Sequence, residues 1–399
     1  LLASSSLLFN MVEPKTSEVP ADSSATTEET FLQFEDMDLS IFNKVIELIA
    51  IKIEAKNCDK FMKLLGGYRL KMRKISCVLK DIDGDSAYRG ILLDESITKE
   101  DLSELPEDIR EEVQKSSLGT FKHPLTIDFD YYSPEDALKK LFPEHSESLQ
   151  HGFELVGHIA HLNLTPEFLK YKYVIGKVIL EKNKHIRTVV NKVDRIQNTF
   201  RTFEMELLAG DPDYIATHKE GGCRLQFELS NVYWCSRLQP ERDRLLKHFS
   251  KNQVIWDIFC GIGPLAVRAA KMGCKVAASD LNPDCHKWLV HNAKNNKVTK
   301  NMQCFNEDAR EFIRKAITES GFLKEEFQKV DHIYMNLPGD AVEFLDAFPG
   351  LLDDKEDLYN ITDRTIKMHV YGFNSAPDMP SATEEFRERI RKAFGRNDI

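Results

Sequence analysis

Asp257-Ile-Phe-Cys-Gly261-Ile-Gly263-Pro264 is the stretch that decides the fold. An apolar run (Val254, Ile255, Trp256) ends there in a Gly-x-Gly-Pro turn. An amphipathic segment (Leu265, Ala266, Val267, Ala269, Ala270) follows, then Lys275-Val-Ala-Ala-Ser closing on Asp280. Strand, glycine loop, helix, strand and carboxylate in that order is the plan of a nucleotide-cofactor site in an open α/β sheet.

Working outward, Met302-Gln-Cys-Phe-Asn, Val330-Asp-His-Ile-Tyr-Met and Ile366-Lys-Met-His-Val-Tyr-Gly-Phe read as further strands separated by helices. The expected class is α/β: a parallel, doubly wound, Rossmann-like sheet over residues 236–399, preceded by α+β modules. Residues 36–150 read as one α/β module. In it, Leu39–Ile49 has helical periodicity, with Phe42, Val45, Ile46 and Ile49 on one face, and a helix opens at Ser133-Pro-Glu-Asp. The acidic stretch Glu95–Glu112 reads as a solvated loop and helix face. Residues 151–235 form a middle module. Its segments Gly157–Leu164, Tyr173–Leu180 and Ile186–Val193 read as short strands around a helix. Residues 1–35 are expected to be disordered: the first thirty are rich in Ser, Thr, Glu and Pro and lack the Arg-rich character of a mitochondrial presequence. The chain opens on Leu1, which suggests an incomplete beginning, with Met11 as an alternative start.

Composition narrows the function. The 399 residues are 42% hydrophobic and 30% charged, enough for two or three cored domains, and no apolar run reaches the roughly 20 residues of a membrane span. Eight cysteines show no C-x-x-C pair, so neither a metal site nor a disulfide framework is indicated. The net charge of −10 argues by itself against a nucleic-acid partner. Between Lys170 and Arg201, however, nine basic residues (Lys170, Lys172, Lys177, Lys182, Lys184, Arg187, Lys192, Arg195, Arg201) stand against Glu181 and Asp194. This stripe is either a solvated face or a contact for a phosphate backbone.

The glycine loop alone leaves the cofactor open, because Gly261-Ile-Gly263-Pro-Leu-Ala266 also satisfies the dinucleotide pattern G-x-G-x-x-A. Three residues turn the reading towards S-adenosylmethionine. Asp257, four residues before Gly261, can hold the ammonium of a methionine moiety and would repel a pyrophosphate. Asp308, in Asn306-Glu-Asp308-Ala309, can accept from an adenine amine, although it could instead cap the next helix. Asn336-Leu-Pro338 ends the fourth strand, where enzymes that use this cofactor place a polar residue against the target atom.

Several segments carry a more specific resemblance. Gly157-His-Ile-Ala-His-Leu-Asn-Leu, Thr188-Val-Val-Asn-Lys-Val-Asp, Phe200-Arg-Thr-Phe-Glu-Met-Glu-Leu-Leu-Ala-Gly and Val232-Tyr-Trp-Cys-Ser-Arg-Leu resemble the eukaryotic and archaeal tRNA (guanine-37-N1)-methyltransferases. So do Asp257–Pro264 and Asn336-Leu-Pro-Gly-Asp-Ala-Val-Glu-Phe-Leu-Asp. The match runs in order from Phe153 to Asn374, and residues 36–150 fit the family's N-terminal tRNA-binding module by position.

Methylating guanine N1 removes its proton while charge builds towards O6, so a base and an O6 donor are needed. The resemblance implies Glu241 as the base, Arg201 at O6, Asn336 and Pro338 on the guanine edge, and Tyr233 organising the site. It gives the cofactor Arg242, Asp257, Cys260, Gly261, Gly263, Asp280, Leu281, Asp308, Ala309 and Asn336. Burial would have to raise the Glu241 pKa for it to serve as the base, and a helix-terminal Glu after Pro240 could instead merely complement the helix dipole. The resemblance also implies a tRNA substrate bearing guanosine at position 37, and the cytoplasm and nucleus, with the mitochondrial matrix as a further address; no motif suggests oligomerisation, so a monomer is expected. The alternatives are the related wybutosine-pathway aminocarboxypropyl transferase and a non-catalytic tRNA-binding protein. Two features depart from the family: Cys235 stands where Asn is usual, and after Asn374 one charged helix replaces a helix and two strands. The expected sheet therefore lacks its closing hairpin and exposes an edge.

Overall fold

The computed structural model describes residues 31–82, 84–147, 152–193, 200, 202–337, 339–351, 366–373 and 378–395. The lead segment expected to be disordered lies outside these up to residue 30. The described residues fall into two compact units, one of Phe153–Leu164 and His185–Ile399, the other of Thr30–Gly152 and Thr165–Lys184.

The second of these units is built on an antiparallel sheet of β1 (Lys44–Glu54), β2 (Val78–Ile82), β3 (Asp85–Leu92) and β4 (Thr120–Ile127), in the order β2-β3-β1-β4. It also holds α1 (Cys58–Leu64), α2 (Glu107–Ser116), α3 (Pro134–Leu141) and α4 (Lys172–Lys182). The helix expected over Leu39–Ile49 is not formed: Leu39–Phe42 is a single 3-10 turn and the rest is the start of β1. Ile49, Ile51 and Ile53 enter one hydrophobic cluster while Leu48 and Ala50 enter another. A strand covered on both faces reads as a continuous apolar run, which periodicity alone cannot tell from a helix. Hydrogen bonding to β3 and β4 along both edges settles it. The helix at Ser133 is present as α3, with Ser133 Oγ accepting from the Asp136 amide at 3.1 Å. Of the acidic stretch, α2 buries only Val113.

The other unit opens with a four-stranded sheet, β5 (Glu154–Val156), β6 (Ile159–Leu162), β7 (Thr188–Lys192) and β8 (Met205–Gly210). Of the three segments read as strands around a helix, the first and last are β6 and β7, paired in parallel, and the middle one is α4 itself. A hairpin of β9 (Ile215–Glu220) and β10 (Cys223–Glu228) turns at Gly221-Gly222, both at positive φ, as a two-residue hairpin loop requires.

Then comes the α/β core: α5 (Gln239–Leu246), β11 (Val254–Asp257), α6 (Pro264–Lys271), β12 (Lys275–Ser279), α7 (Pro283–Asn295), β13 (Met302–Phe305), α8 (Ala309–Thr318), β14 (His332–Met335), β15 (Lys367–Val370) and α9 (Met379–Phe394). Its five strands are all parallel, in the order β13-β12-β11-β14-β15. Ile255, Val276 and Ala278 pack with α6 and α7 on one face; Val254, Trp256 and Ala277 pack with α8 on the other, where Phe386 and Ile390 of α9 join them. Helices on both faces of a parallel sheet make it doubly wound. Among the described residues β15 forms one edge and β13 the other.

Candidate active site

The carboxyl ends of β11, β12 and β14 converge on the glycine loop. Asp257 is the last residue of β11, the central strand, and is 1% exposed. Neither carboxyl oxygen has a hydrogen-bond partner among the described residues. Burial, and then the neighbouring Asp280, push its pKa well above the usual carboxylate range. An unpaired buried carboxyl is costly unless a cation or donor joins it.

The chain then reverses through Gly261 (φ 54°) and Gly263 (φ 88°), and Pro264 starts α6. A Cβ on Gly263 would lie 2.6 Å from Leu289 Cδ1, so helix packing requires glycine there. A Cβ on Gly261 would meet nothing within 4 Å, so there the loop backbone borders open space. Cys260 is buried and its amide donates to Ser279 O at 3.0 Å; burial raises its thiol pKa well above normal.

Asp280 follows β12 and braces this loop. One oxygen accepts from the Gly261 amide at 2.7 Å, the other from the Asn282 amide at 3.0 Å. Leu281 beside it is 45% exposed, an apolar surface suited to the face of a base. Asn306, not singled out from sequence, donates to the Asp280 and Leu281 carbonyls and so ties the end of β13 to this turn. Asp308 does cap α8, with Oδ1 accepting from the Arg310 amide at 2.9 Å, and Ala309 is the buried first residue of that helix. An unpartnered acid, an open glycine backbone and an exposed leucine fit the ammonium, chain and adenine of S-adenosylmethionine.

A second cluster gathers beside α5. Glu241 lies in its first turn, and its carboxylate receives a fork from Arg244 (Nε to Oε2, 2.8 Å; Nη2 to Oε1, 2.6 Å). The Tyr371 hydroxyl, just beyond β15, donates to Oε1 at 2.5 Å. Burial pushes the Glu241 pKa up, but the Arg244 and Tyr371 hydrogen bonds outweigh it and hold the carboxyl below its ordinary value. The rise demanded by the sequence reading is therefore not met in this arrangement. Burial and the bond to Glu241 raise the Tyr371 phenol.

The sequence reading gave Arg242 to the cofactor, but the structure turns its guanidinium elsewhere. Arg242 is 5% exposed and grips Glu220, the last residue of β9, at 2.8 and 2.6 Å. Arg268 of α6 reaches the same carboxylate at 2.7 Å and also pairs with Asp243. Glu220, fully buried as a side chain, thus joins α5 to α6, the helix of the glycine loop. Nothing in the sequence near Glu220 marks it.

The two clusters meet through tyrosines. Tyr334 of β14 pairs in register with Asp257, its ring meets that of Tyr371 edge-on at 5.4 Å, and the Asn336 side chain lies near its hydroxyl. Asn336 stands just past the end of β14. Tyr233 is 36% exposed, in the segment leading to the turn Ser236–Leu238 before α5. Arg201 and Pro338 lie outside the described residues. Cys235 is buried, and Ser236 beside it donates its hydroxyl to Glu154 of β5 at 2.5 Å. The basic stripe is not one open face: Lys172 is buried, Lys177 pairs with Glu181, Arg187 pairs with Asp213, and the Lys192 ammonium sits 3.9 Å over the Phe203 ring.

A parallel sheet in the order β13-β12-β11-β14-β15 with this glycine loop defines a Rossmann-like class I methyltransferase. Residues 216–362 match the family model of the TRM5/TYW2 methyltransferase domain, and residues 135–213 that of the TYW2 N-terminal domain. The tRNA (guanine(37)-N(1))-methyltransferase of Coprinopsis cinerea is 35% identical over 90% of this chain and 87% of its own length; that of Phytophthora infestans is 38% identical over 89% and 84%. The chain belongs to the tRNA (guanine(37)-N(1))-methyltransferase family. Its fold is shared with wild-type Trm5b from Pyrococcus abyssi (24% identity, TM-score 0.57, 87% of this chain and 90% of that one) and with aTrm5 solved with tRNALeu (23%, 0.60, 86% and 91%).

Proposed function

We propose that this chain methylates N1 of guanosine 37 in tRNA, beside the anticodon, using S-adenosylmethionine. The observation that carries the reading is the row formed by unpaired Asp257, Tyr334 with Asn336, and Glu241 with Tyr371 at the strands' carboxyl ends. Asp257, the open backbone at Gly261, Asp280 and Leu281 would hold the cofactor, which when bound supplies an electrophilic methyl group on a sulfonium. Asn336 would fix the guanine edge, with Pro338, and Arg201 would neutralise charge at O6.

Glu241 would take the N1 proton. As N1 gives its electrons to the methyl carbon its proton grows more acidic, so a carboxylate held below its ordinary pKa can still accept it. A fixed anion beside the ring also favours the positive charge that gathers there before the proton leaves. Tyr233 would help organise the same pocket.

The test is to incubate the protein with radiolabelled S-adenosylmethionine and an unmodified tRNA transcript carrying guanosine 37, then digest to nucleosides. Label in 1-methylguanosine is the expected result. An aminocarboxypropyl adduct would instead support the transferase alternative, and tRNA binding without label the non-catalytic one. In the same assay Glu241→Gln is expected to keep cofactor affinity and lose about 100-fold or more in rate.

A further inference from the structure

We infer that Tyr371 is a positioning residue for Glu241: together with Arg244 it holds the carboxylate so that one lone pair of Oε2 is left to meet the guanine N1–H. This rests on the reading of Glu241 as the base. The argument is a count of acceptor sites. A carboxylate offers about four lone-pair directions. Arg244 Nη2 and the Tyr371 hydroxyl occupy both on Oε1, and Arg244 Nε takes one on Oε2. Among the described residues, one direction on Oε2 remains.

The placement of Tyr371 points the same way. It is 130 residues from Glu241 in sequence and enters from β15, whereas Arg244 comes from the next turn of α5. Two donors from different elements fix both the position of the carboxylate and its rotation. Arg244 alone would leave the group free to follow its own flexible stem. The Tyr371 ring is itself held: its amide donates to Met335 O at 3.0 Å and its ring meets Tyr334 edge-on. Tyr334 in turn stands next to Asn336, whose side chain lies near its hydroxyl. The two groups expected to touch guanine, one on each side, are thereby referenced to the same pair of tyrosines.

The proton balance is simple. N1–H gives its proton to Oε2, the N1 electron pair forms the bond to the methyl carbon, and the sulfonium keeps the electrons of the broken carbon–sulfur bond. Tyr371 keeps its own proton throughout and lowers the proton affinity of Glu241 by donating to it. Among the described residues, the charged or titratable groups facing Glu241 are Arg244 of α5, His248 just past the end of that helix, and Tyr371 from beyond β15.

The experiment compares wild type, Tyr371→Phe and Glu241→Gln in methyl transfer from S-adenosylmethionine to a guanosine-37 transcript between pH 3.5 and 9, in short single-turnover assays at the acidic end. With one donor to the carboxylate removed, Tyr371→Phe is expected to move the acidic limb of kcat/KM upward by about one pH unit. Because the wild-type carboxyl is held below its ordinary value, that shift costs little at pH 5 and grows to several-fold towards pH 4 and below. On the plateau kcat should fall several-fold, with KM for both substrates held within about twofold.

An unchanged limb and plateau in Tyr371→Phe, with Glu241→Gln inactive, overturns the positioning role and leaves the base assignment standing. Wild-type activity in Glu241→Gln overturns the base assignment and this inference with it. Should Tyr371→Phe fail to bind cofactor, Arg244→Lys decides. It keeps the charge but breaks the fork, and the acidic limb must again move upward. If it does not, the carboxylate is not held by these donors and the inference falls.

Discussion

Replacing Glu220 by Gln should destabilise the methyltransferase unit more than a single hydrogen bond would suggest. The Glu220 side chain is fully buried and accepts three charge-assisted hydrogen bonds, two from Arg242 and one from Arg268. Arg268 keeps a second partner in Asp243, so it is not stranded by the change. Arg242, only 5% exposed, is left without a counter-ion. Removing one member of a buried pair costs about 3–5 kcal/mol, mostly because the other charge stays buried. Gln retains one acceptor oxygen but turns its amide protons towards a guanidinium, so about 3 kcal/mol is the expected loss.

For a unit of this size that corresponds to roughly 6–12 °C in Tm. All three tryptophans (Trp234, Trp256, Trp288) belong to the unit concerned, so tryptophan fluorescence during urea or thermal unfolding reports on it selectively. The double change Glu220→Leu with Arg242→Met should recover much of the loss, since an apolar pair of similar volume removes both charges together. A loss below about 1 kcal/mol for Glu220→Gln, or no recovery in the double variant, would refute the account of Glu220 as a buried ionic anchor.

Three further outcomes follow from the geometry. Asp257→Asn should stabilise the cofactor-free protein while weakening cofactor binding. The Asp257 pKa is raised in the fold above the ordinary 3.8, so the folded state holds a proton the unfolded chain has released, and stability is lost as pH rises through that interval. The variant removes this and should gain about 1–3 kcal/mol at pH 7 by scanning calorimetry, yet lose roughly 30-fold or more in S-adenosylmethionine affinity by titration calorimetry. His332 Nδ1 and His369 Nε2 meet at 3.0 Å between β14 and β15, and burial with neighbouring cations lowers the His369 pKa to about 4. The unfolded chain therefore takes up protons first as pH falls below 6.5, and stability is lost on the way down. His369 alone should cost about 2 kcal/mol between pH 7 and 5, a slope that His369→Gln should flatten in paired urea titrations. Gly263→Ala should cost about 1–3 kcal/mol because its Cβ strikes Leu289 at a positive φ, whereas Gly261→Ala meets no neighbour, carries only left-handed backbone strain of about 1 kcal/mol, and should lower Tm less while weakening cofactor binding. The reverse order in paired binding and melting curves would contradict this description of the loop.

How much was legible depended on how local each feature is. The glycine loop, Asp257 and Asp280 lie within one strand-turn-helix-strand unit, where spacing fixes geometry, and the structure brings them together as read. The same is true of the cap at Ser133, a four-residue signature. The strand over Lys44–Glu54 was misread because its apolarity is continuous, and only its two hydrogen-bonded neighbours and two buried faces distinguish it from a helix. Asp308 carried both readings in sequence, and the structure shows the cap.

By itself the sequence determined the class of sheet, the cofactor loop and the position of Glu241 at the head of a helix. What Glu241 and Arg242 face was decided only by tertiary structure. Tyr371 comes from 130 residues away and Glu220 from 22, across a hairpin with no motif of its own. A helix position states which way a side chain leaves the backbone, but its pKa and partners belong to whatever packs opposite. Here that is a tyrosine beyond the last described strand for Glu241 and a buried glutamate for Arg242, and neither pairing has a period or spacing from which it could be read.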